Sequence, residues 1–341
     1  MNMEKPIYVI GHRNPDADSI CSAIAYAHLK KCLGQPAVQP ARAGEIDAET
    51  AFVLKYFGLP VPELITDASG LDLILVDHNE MSQALPNIEH ANILEIWEHH
   101  RIGDLRPPNP IVFHCEPVGA TATLIAERYF TFGIEPPQAM AGIMLAAILS
   151  DTVLLCSPTT SDNDHRIIAR LQPLAGVDLQ AFGQQLRKVK TAAIESKSAD
   201  RIVRDDFKEF RFGDYRIGIA QVEVVRPDVF ADRMADILRE MHAVREARGL
   251  TQVIMMITDV EAEASDLWVI GDRIDLFEQV FGSTKNGAIH LCGCMSRKKQ
   301  VVPRIAAAIC SSRGTAPDAH ETQVSSTQHR GAGTETASRR E

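Results

Sequence analysis

Ile7-Tyr8-Val9-Ile10-Gly11-His12-Arg13-Asn14-Pro15-Asp16-Ala17-Asp18-Ser19 is the stretch whose reading decides the fold. Its first four residues are apolar, β-branched or aromatic, and predict a buried strand. Glycine and the Asn-Pro pair then stop that strand in a turn. From about Ser19 to Cys32, Ile20, Ile24 and Ala27 recur at helical spacing. Strand, turn and helix in this order open an α/β domain. The turn also packs one imidazole and two carboxylates (His12, Asp16 and Asp18) into seven positions. Carboxylates that close repel one another unless a cation lies between them, and a divalent metal is the usual solution.

Further along, Leu71–Val76 and Ile93–Trp97 read as strands. Pro137 opens a helix that runs through Met140, Ile143, Met144 and Ala147 to Ser150. Each of these elements ends on an acid or an imidazole: Asp77-His78-Asn79, Glu98-His99-His100 and Ser150-Asp151-Thr152. Open α/β sheets bind ligands at the carboxyl ends of their strands. His12, Asp16, Asp18, Asp77, His99 and Asp151 are therefore expected around one crevice. Four carboxylates and two imidazoles suit two ions with bridging carboxylates, and mixed oxygen and nitrogen ligation favours manganese, cobalt or iron over magnesium alone. Singly, each fragment has a plainer reading. An Asp after a strand most often caps a helix or closes a turn, and Asp18 could do no more than cap the helix beginning at Ser19. A His-His pair is more often surface than ligand. The recurrence at four separate elements carries the metal reading.

The chain has 341 residues, enough for two domains. Small and charged residues between Arg187 and Ser198 read as a linker and hinge. A second α/β unit follows, with strands expected at Tyr215–Val225, Gln252–Thr258 and Leu267–Ile270. Beyond 310 the one large apolar residue is Val324, a composition that cannot order itself. The expected division is 1–188, linker 189–197, 198–310 and a disordered tail 311–341. A net charge of −10 means that an anionic substrate needs a local basic patch. Ser296-Arg297-Lys298-Lys299-Gln300 supplies one, a planar fork beside mobile point charges; Lys208 alone reads as an ordinary surface lysine. Only 6% of residues are aromatic, which argues against a nucleic-acid stacking platform. The longest apolar stretch, Ala139 to Leu149, is too short to cross a bilayer. No basic-then-apolar leader precedes the first strand. A soluble, cytoplasmic protein is expected. Seven cysteines without a C-x-x-C pair suit a reducing compartment. Cys292 and Cys294 would share one face of a strand, as two buried thiols more often than a zinc site. His78 is expected to support a neighbouring ligand, whereas His28, His90, His114, His165, His242 and His290 have no partner at ligand spacing.

With Gly11-His12-x-Asn14-Pro15-Asp16-x-Asp18-Ser19, Val76-Asp77-His78-Asn79, His99-His100, Glu116-Pro117-Val118-Gly119-Ala120-Thr121-Ala122-Thr123, Ser150-Asp151-Thr152 and Ser296-Arg297-Lys298-Lys299-Gln300 in this order, the chain resembles the family II inorganic pyrophosphatases of the DHH phosphoesterase superfamily. The likeness spans roughly residues 6–310 and is to the short form, without a regulatory nucleotide-binding insert. It implies an N-terminal, mostly parallel sheet with flanking helices, a smaller C-terminal α/β domain and an active site in the cleft between them. One metal would be held by His12, Asp16, Asp77 and Asp151, the second by Asp18, Asp77, His99 and Asp151. His100 would bind phosphate or donate a proton, and Lys208, Arg297 and Lys298 would clamp the two phosphates. The implied reaction is hydrolysis of pyrophosphate to two orthophosphates by a metal-bridged hydroxide. Its implied cofactors are two Mn2+ per subunit, with Co2+ as a substitute and Mg2+ accompanying the substrate. The implied partners are pyrophosphate and a second copy of the chain, joined through the N-terminal domain, with no nucleic acid and no membrane.

Glu98 departs from the family's Asp-His-His and is expected to alter hydrogen bonding around His99 or His100. Another phosphoesterase on this scaffold, acting on polyphosphate, oligonucleotides or cyclic dinucleotides, is the nearest alternative. Nucleotide-cleaving relatives typically carry a Gly-Gly-Gly-His run, whereas Ser296-Arg297-Lys298-Lys299 stands at the corresponding end here. A catalytically silent metal- or phosphate-binding regulator is the alternative from another class.

Overall fold

The computed structural model describes residues 5–224, 227–260 and 262–313. The first sheet has six strands: β1 (Ile7–Ile10), β2 (Val38–Arg42), β3 (Glu63–Leu64), β4 (Asp72–Val76), β5 (Asn92–Glu98) and β6 (Val112–Cys115). All pair in parallel, in the order β3-β2-β1-β4-β5-β6. The two-residue period of a strand divides the side chains between faces. Val9, Ile74, Val76 and Trp97 enter one core; Ile10, Leu73, Leu75, Ile93 and Ile96 enter the other.

Helices α1 (Ala17–Cys32), α2 (Ala48–Tyr56), α3 (Thr121–Thr131), α4 (Gln138–Asp151) and α5 (Asp162–Ala175) accompany this sheet. Helix α4 is buried along its length from Met140 to Leu149. It is apolar all round because α1, α3 and α5 surround it. That explains how the longest apolar stretch of the chain is used. No helix among the described residues is long and apolar enough to cross a membrane.

The expected linker is instead helical. Helix α6 (Leu179–Ser196) runs through it, breaks at Lys197, and is followed by the short α7 (Ala199–Arg204) capped by Ser198. Its charges lie on one face while Phe182, Leu186 and Ile194 are buried, an amphipathic pattern that resembles a linker when read for charge alone.

The second sheet comprises β7 (Phe207–Phe212), β8 (Tyr215–Val224), β9 (Gln252–Asp259), β10 (Ala264–Gly271) and β11 (Ile289–Cys292), ordered β11-β10-β9-β8-β7. Only β8 and β9 pair in parallel. Helix α8 (Met234–Arg248) packs with α7 on one face, whereas α9 (Ile274–Phe281) and α10 (Val302–Arg313) cover the other. The two-domain α/β architecture expected from the sequence is present.

Strand β7 is additional to the expected strands. Helix α10 also continues past the expected end at 310; the remainder of the expected tail, 314–341, lies outside the described residues, as does Val225. Cys292 and Cys294 do not share a face. Strand β11 stops at Cys292, Gly293 turns the chain with φ +67°, and only Cys294 is buried.

Ile143 in α4 is fully buried in the first core. Ile143→Ala should lower unfolding stability by about 2–5 kcal/mol, read as a lower denaturant midpoint. A change under about 0.5 kcal/mol, the scale of a surface substitution, would contradict this placement of α4.

Candidate metal centre

Strand order reverses between β1 and β4, which lie side by side while the chain continues outward from each in opposite directions. Such a switch point leaves a crevice at the carboxyl ends of the strands. His12, Asp16 and Asp18 follow β1, Asp77 follows β4, His99 follows β5, and Asp151 closes α4. Among the described residues three groups of ligand-type atoms come together there: His12, Asp16 and Asp77; Asp18, Asp77, His99 and Asp151; and Asp77, His99 and His100. Asp77 belongs to all three. Its Oδ2 lies 3.4 Å from His12 Nε2 and its Oδ1 lies 3.2 Å from His99 Nε2. His12 Nε2 is also 3.5 Å from Asp16, and His99 Nε2 is 3.7 Å from Asp151 and 4.0 Å from Asp18. Asp151 therefore joins the second group, while the first comes together without it.

The donor set fits divalent cations. Imidazole and carboxylate are the ligands that manganese and its neighbours accept. His99 Nδ1 meets the Val118 carbonyl at 3.1 Å, which turns the other ring nitrogen towards the carboxylates. That nitrogen, Nε2, is buried and makes no hydrogen bond among the described residues. His12 Nδ1 is likewise buried without a hydrogen-bond partner among them.

Each of these side chains is held by local structure. Asp16, rather than Asp18, caps α1, accepting from the Ser19 N–H at 3.0 Å. Asp18 is wholly buried inside the first turn and accepts from the N–H groups of Thr121 (2.6 Å) and Ala122 (2.9 Å) and from the Ser22 hydroxyl (3.1 Å). Those amides begin α3, so a helix N-terminus faces the carboxylate. Asp77 adopts φ +62°, a left-handed conformation that Asp tolerates better than most residues. Val153, Leu154 and Leu155, just past Asp151, are all left-handed too. The turn is braced by Leu154 N–H to Leu149 O (2.7 Å), Ser157 N–H to Thr152 O (2.8 Å) and Leu155 N–H to the Thr152 hydroxyl (3.1 Å).

Buried Asp164 gathers the Gly119 N–H, the Thr123 hydroxyl and its own capping-box partner Ser161. A Cβ on Gly119 would meet Thr152 Cγ2 at 2.3 Å, so glycine is required at this approach. His78 is buried against the Val76 carbonyl, edge-on to His12. Glu98 touches His100 rather than His99, accepting from the His100 backbone N–H and meeting its ring Nδ1 at 3.2 Å. Its other oxygen accepts from Asn79 at 3.0 Å. The His100 ring is half-exposed beside this contact.

Burial raises the Asp77 carboxyl, but His12 and His99 outweigh it and hold it well below the usual range. Burial opposes protonation of both histidines; Asp16 and Asp77 nevertheless raise His12 well above its ordinary value, and Asp77, Asp18 and Asp151 do so for His99. Asp18 and Asp151 are pushed well up by burial and by the neighbouring carboxylates. Burial lowers His78 to about 4 and keeps it neutral.

In the second domain, Lys208 lies on β7, Arg297 is buried at the start of the turn before α10, and Lys298 beside it is exposed. Arg297 and Lys298 both depress the Lys208 ammonium, after burial, so the three cations share one neighbourhood. Lys299 reaches the first domain, donating to the Pro158 carbonyl at 3.0 Å. Asp206 holds Arg297, Asn79 holds Glu98, Thr121 holds Asp18 and Asp164 holds Gly119; none of the four is given a role by sequence alone, although Asn79 and Thr121 stand inside the motifs Val76-Asp77-His78-Asn79 and Glu116–Thr123. Only Asp164 carried a usable signal, the Ser-x-x-acid capping pattern.

Residues 6–148 match the DHH family, N-terminal domain, and residues 184–308 match the DHHA2 domain. The chain is 46% identical over 309 residues to a manganese-dependent inorganic pyrophosphatase of Methanothrix thermoacetophila, covering 90% of this chain and 99% of the relative. It is 40% identical over 306 residues to a manganese-dependent inorganic pyrophosphatase of Methanocaldococcus jannaschii, covering 87% and 97%. A Methanococcus jannaschii crystal structure described as a family II inorganic pyrophosphatase superposes with a TM-score of 0.74 at 39% identity, covering 89% of this chain and 99% of that one.

The raised histidines and carboxyls mean that a cation must displace protons from the metal-free site. Manganese affinity should therefore rise with pH, with protons released on binding. Calorimetry in buffers of different ionisation enthalpy reads both quantities. Because both histidines are held well above their ordinary value of about 6.5, an affinity that stayed flat as pH rose through and beyond about 6.5 would contradict this electrostatic account.

Proposed function

The chain belongs to the manganese-dependent inorganic pyrophosphatases, and on that premise we propose that it hydrolyses pyrophosphate to two orthophosphates at the crevice between β1 and β4. The observation that carries the reading is the convergence of four carboxylates on two imidazoles, with His99 Nε2 buried among them and unbonded. We assign one manganese ion to His12, Asp16, Asp77 and Asp151 and a second to Asp18, Asp77, His99 and Asp151. Cobalt is the assigned substitute, and magnesium accompanies the substrate. When bound, such a pair of ions supplies charge neutralisation and a water acidified towards neutral pH.

The chain's own groups do the remaining work. Asp77 offers one oxygen to each half of the site. Asp18, fixed by the N-terminus of α3, cannot swing away, which keeps the ligand set preorganised. His100 has its Nδ1 side turned to Glu98, leaving Nε2 to bind a phosphate oxygen or pass a proton to it. Lys208, Arg297 and Lys298 are assigned to the phosphates, where positive charge is needed as the leaving group departs. Their grouping in one neighbourhood supports that role, as does the Lys299 contact to Pro158, seven residues beyond Asp151.

We assign a homodimer formed through the first domain. Strand β6 is the edge of the sheet, and Val112 and Phe113, pointing to opposite faces, are 53% and 40% exposed. An open edge with apolar side chains on both faces favours pairing with a second copy. We assign the cytoplasm as its compartment, in keeping with free cysteines at 21, 32, 115, 156, 292 and 294.

Metal-stripped protein should release phosphate from pyrophosphate when manganese and magnesium are restored, and not in chelator. Asp151→Ala should lose at least about 100-fold in rate together with bound manganese, whereas Lys208→Ala should mainly raise KM. Full rate and unchanged metal content in Asp151→Ala would sink the two-ion assignment. Phe113→Glu should shift the protein from dimer to monomer in sedimentation, and an unchanged dimer would remove β6 from the interface.

A further inference from the structure

The Arg297 guanidinium is fastened before any substrate arrives. Its Nη1 donates to two backbone carbonyls, Asp206 O at 2.7 Å and Ile219 O at 2.8 Å, and its Nη2 donates to Asp206 Oδ1 at 2.8 Å. The residue is 6% exposed. Arginine carries five N–H donors, so Nε–H and one Nη2–H are left without an acceptor among the described residues. Two neighbouring donors on one planar group match two oxygens of a phosphate.

The turn around Arg297 is pinned as well. Gln221 accepts from the Arg297 backbone N–H at 3.3 Å and donates to the Met295 carbonyl at 3.0 Å. Gln300 accepts from the N–H groups of Met295 and Ser296 at 2.8 and 2.9 Å. Among these contacts, the Asp206 carboxylate is the one formal negative charge on the guanidinium, and it is half-exposed, at the edge of the cationic group. Arg297 and Lys208 hold that carboxyl below its usual range.

We propose that Asp206 is the positioning residue of the phosphate clamp, holding Arg297 so that a preformed pair of N–H donors faces pyrophosphate. This rests on the assignment of Arg297 to the substrate. Simple electrostatics offers the opposite role, in which Asp206 is a counter-charge that phosphate must displace. The two roles predict opposite signs. A positioning carboxylate strengthens anion binding, and a competing carboxylate weakens it.

The test uses manganese-loaded holoenzyme and methylenediphosphonate, whose P–C–P link resists hydrolysis, with calorimetric affinity, kcat and KM as readouts. Asp206→Ala should weaken analogue binding about 10- to 100-fold, the range expected for one lost charge-assisted hydrogen bond, with KM rising in step. Asp206→Asn keeps an oxygen acceptor without its charge and should lose only about 3- to 10-fold. Bound manganese should not change in either variant, since its ligands lie in the other domain. In an Arg297→Ala background, both Asp206 substitutions should have no further effect, because a residue acting through Arg297 is silent once Arg297 is gone.

Tighter analogue binding in Asp206→Asn would overturn the proposal, as would losses that add to that of Arg297→Ala. Unchanged affinity in Arg297→Ala itself would overturn the clamp assignment beneath it, a separate and recognisable failure. Should Asp206→Ala melt below the assay temperature, Asp206→Asn alone and in the Arg297→Ala background still decides the matter.

Discussion

Four carboxylates brought within reach of one another, at the one place in a parallel sheet where strand order reverses, is the constraint on which the rest of this structure depends. Two like charges 4 Å apart repel by about 4 kcal/mol at an effective dielectric near 20, and burial makes each charge costlier still. The surrounding elements each remove part of that cost. His12 and His99 flank Asp77. The first amides of α3 point at Asp18, which explains why α3 begins at Thr121 behind the small residues Gly119 and Ala120. What these contacts leave unbalanced is the charge that divalent cations supply, so the crevice is built for occupation rather than merely able to accept it.

Holding ligands this firmly requires a backbone that cannot relax away from them. Left-handed conformations cost roughly 1–2 kcal/mol per residue, and Val153, Leu154 and Leu155 take three in succession. Such a turn persists only where its surroundings over-determine it. Here α4 enters it from a fully buried core, and Thr152 braces it through both its hydroxyl and its carbonyl. The same turn runs from Asp151 to Pro158, whose carbonyl receives Lys299 from the second domain. A candidate metal-binding carboxylate and a cationic contact are thus joined by a short, stiff path. The turn that carries Asp151 is therefore also the place where the second domain touches the first.

Much of this was legible in the sequence because strand periodicity and ligand chemistry coincide at the ends of β1, β4 and β5. His12, Asp77 and His99 are each announced by the apolar run before them. Features governed by distant pairing were not legible. Asp206 precedes a strand whose alternation of Phe207, Phe210 and Phe212 with charged residues passes for a surface segment, and its partner lies 91 positions away. Asp18 resembles a helix cap in sequence, and only the fold reveals that Asp16 takes the cap while Asp18 turns inward to α3. The expected linker, 189–197, falls almost wholly on helix α6, whose buried face of Phe182, Leu186 and Ile194 is hidden when the segment is read for charge alone.

Glu98 shows how a departure from a motif can preserve what the motif is for. An aspartate at the end of β5 has one methylene with which to reach His100. Glutamate has two, and here its carboxylate spans further: Oε2 holds the His100 backbone and ring, while Oε1 takes the amide of Asn79 from the β4 end. Asn79 in turn donates to the Arg101 carbonyl and accepts from the Gly103 N–H, tying down the segment that carries His100. The longer acid therefore joins two strand ends and still fixes the ring, with burial near-complete and its charge sustained by His100. A chain that had abandoned catalysis would have no physical need to keep His100 oriented, His99 aimed and Asp18 capped at once. Glu98 thus ties His100 to the end of β4 and leaves His99 to its own contact with the Val118 carbonyl.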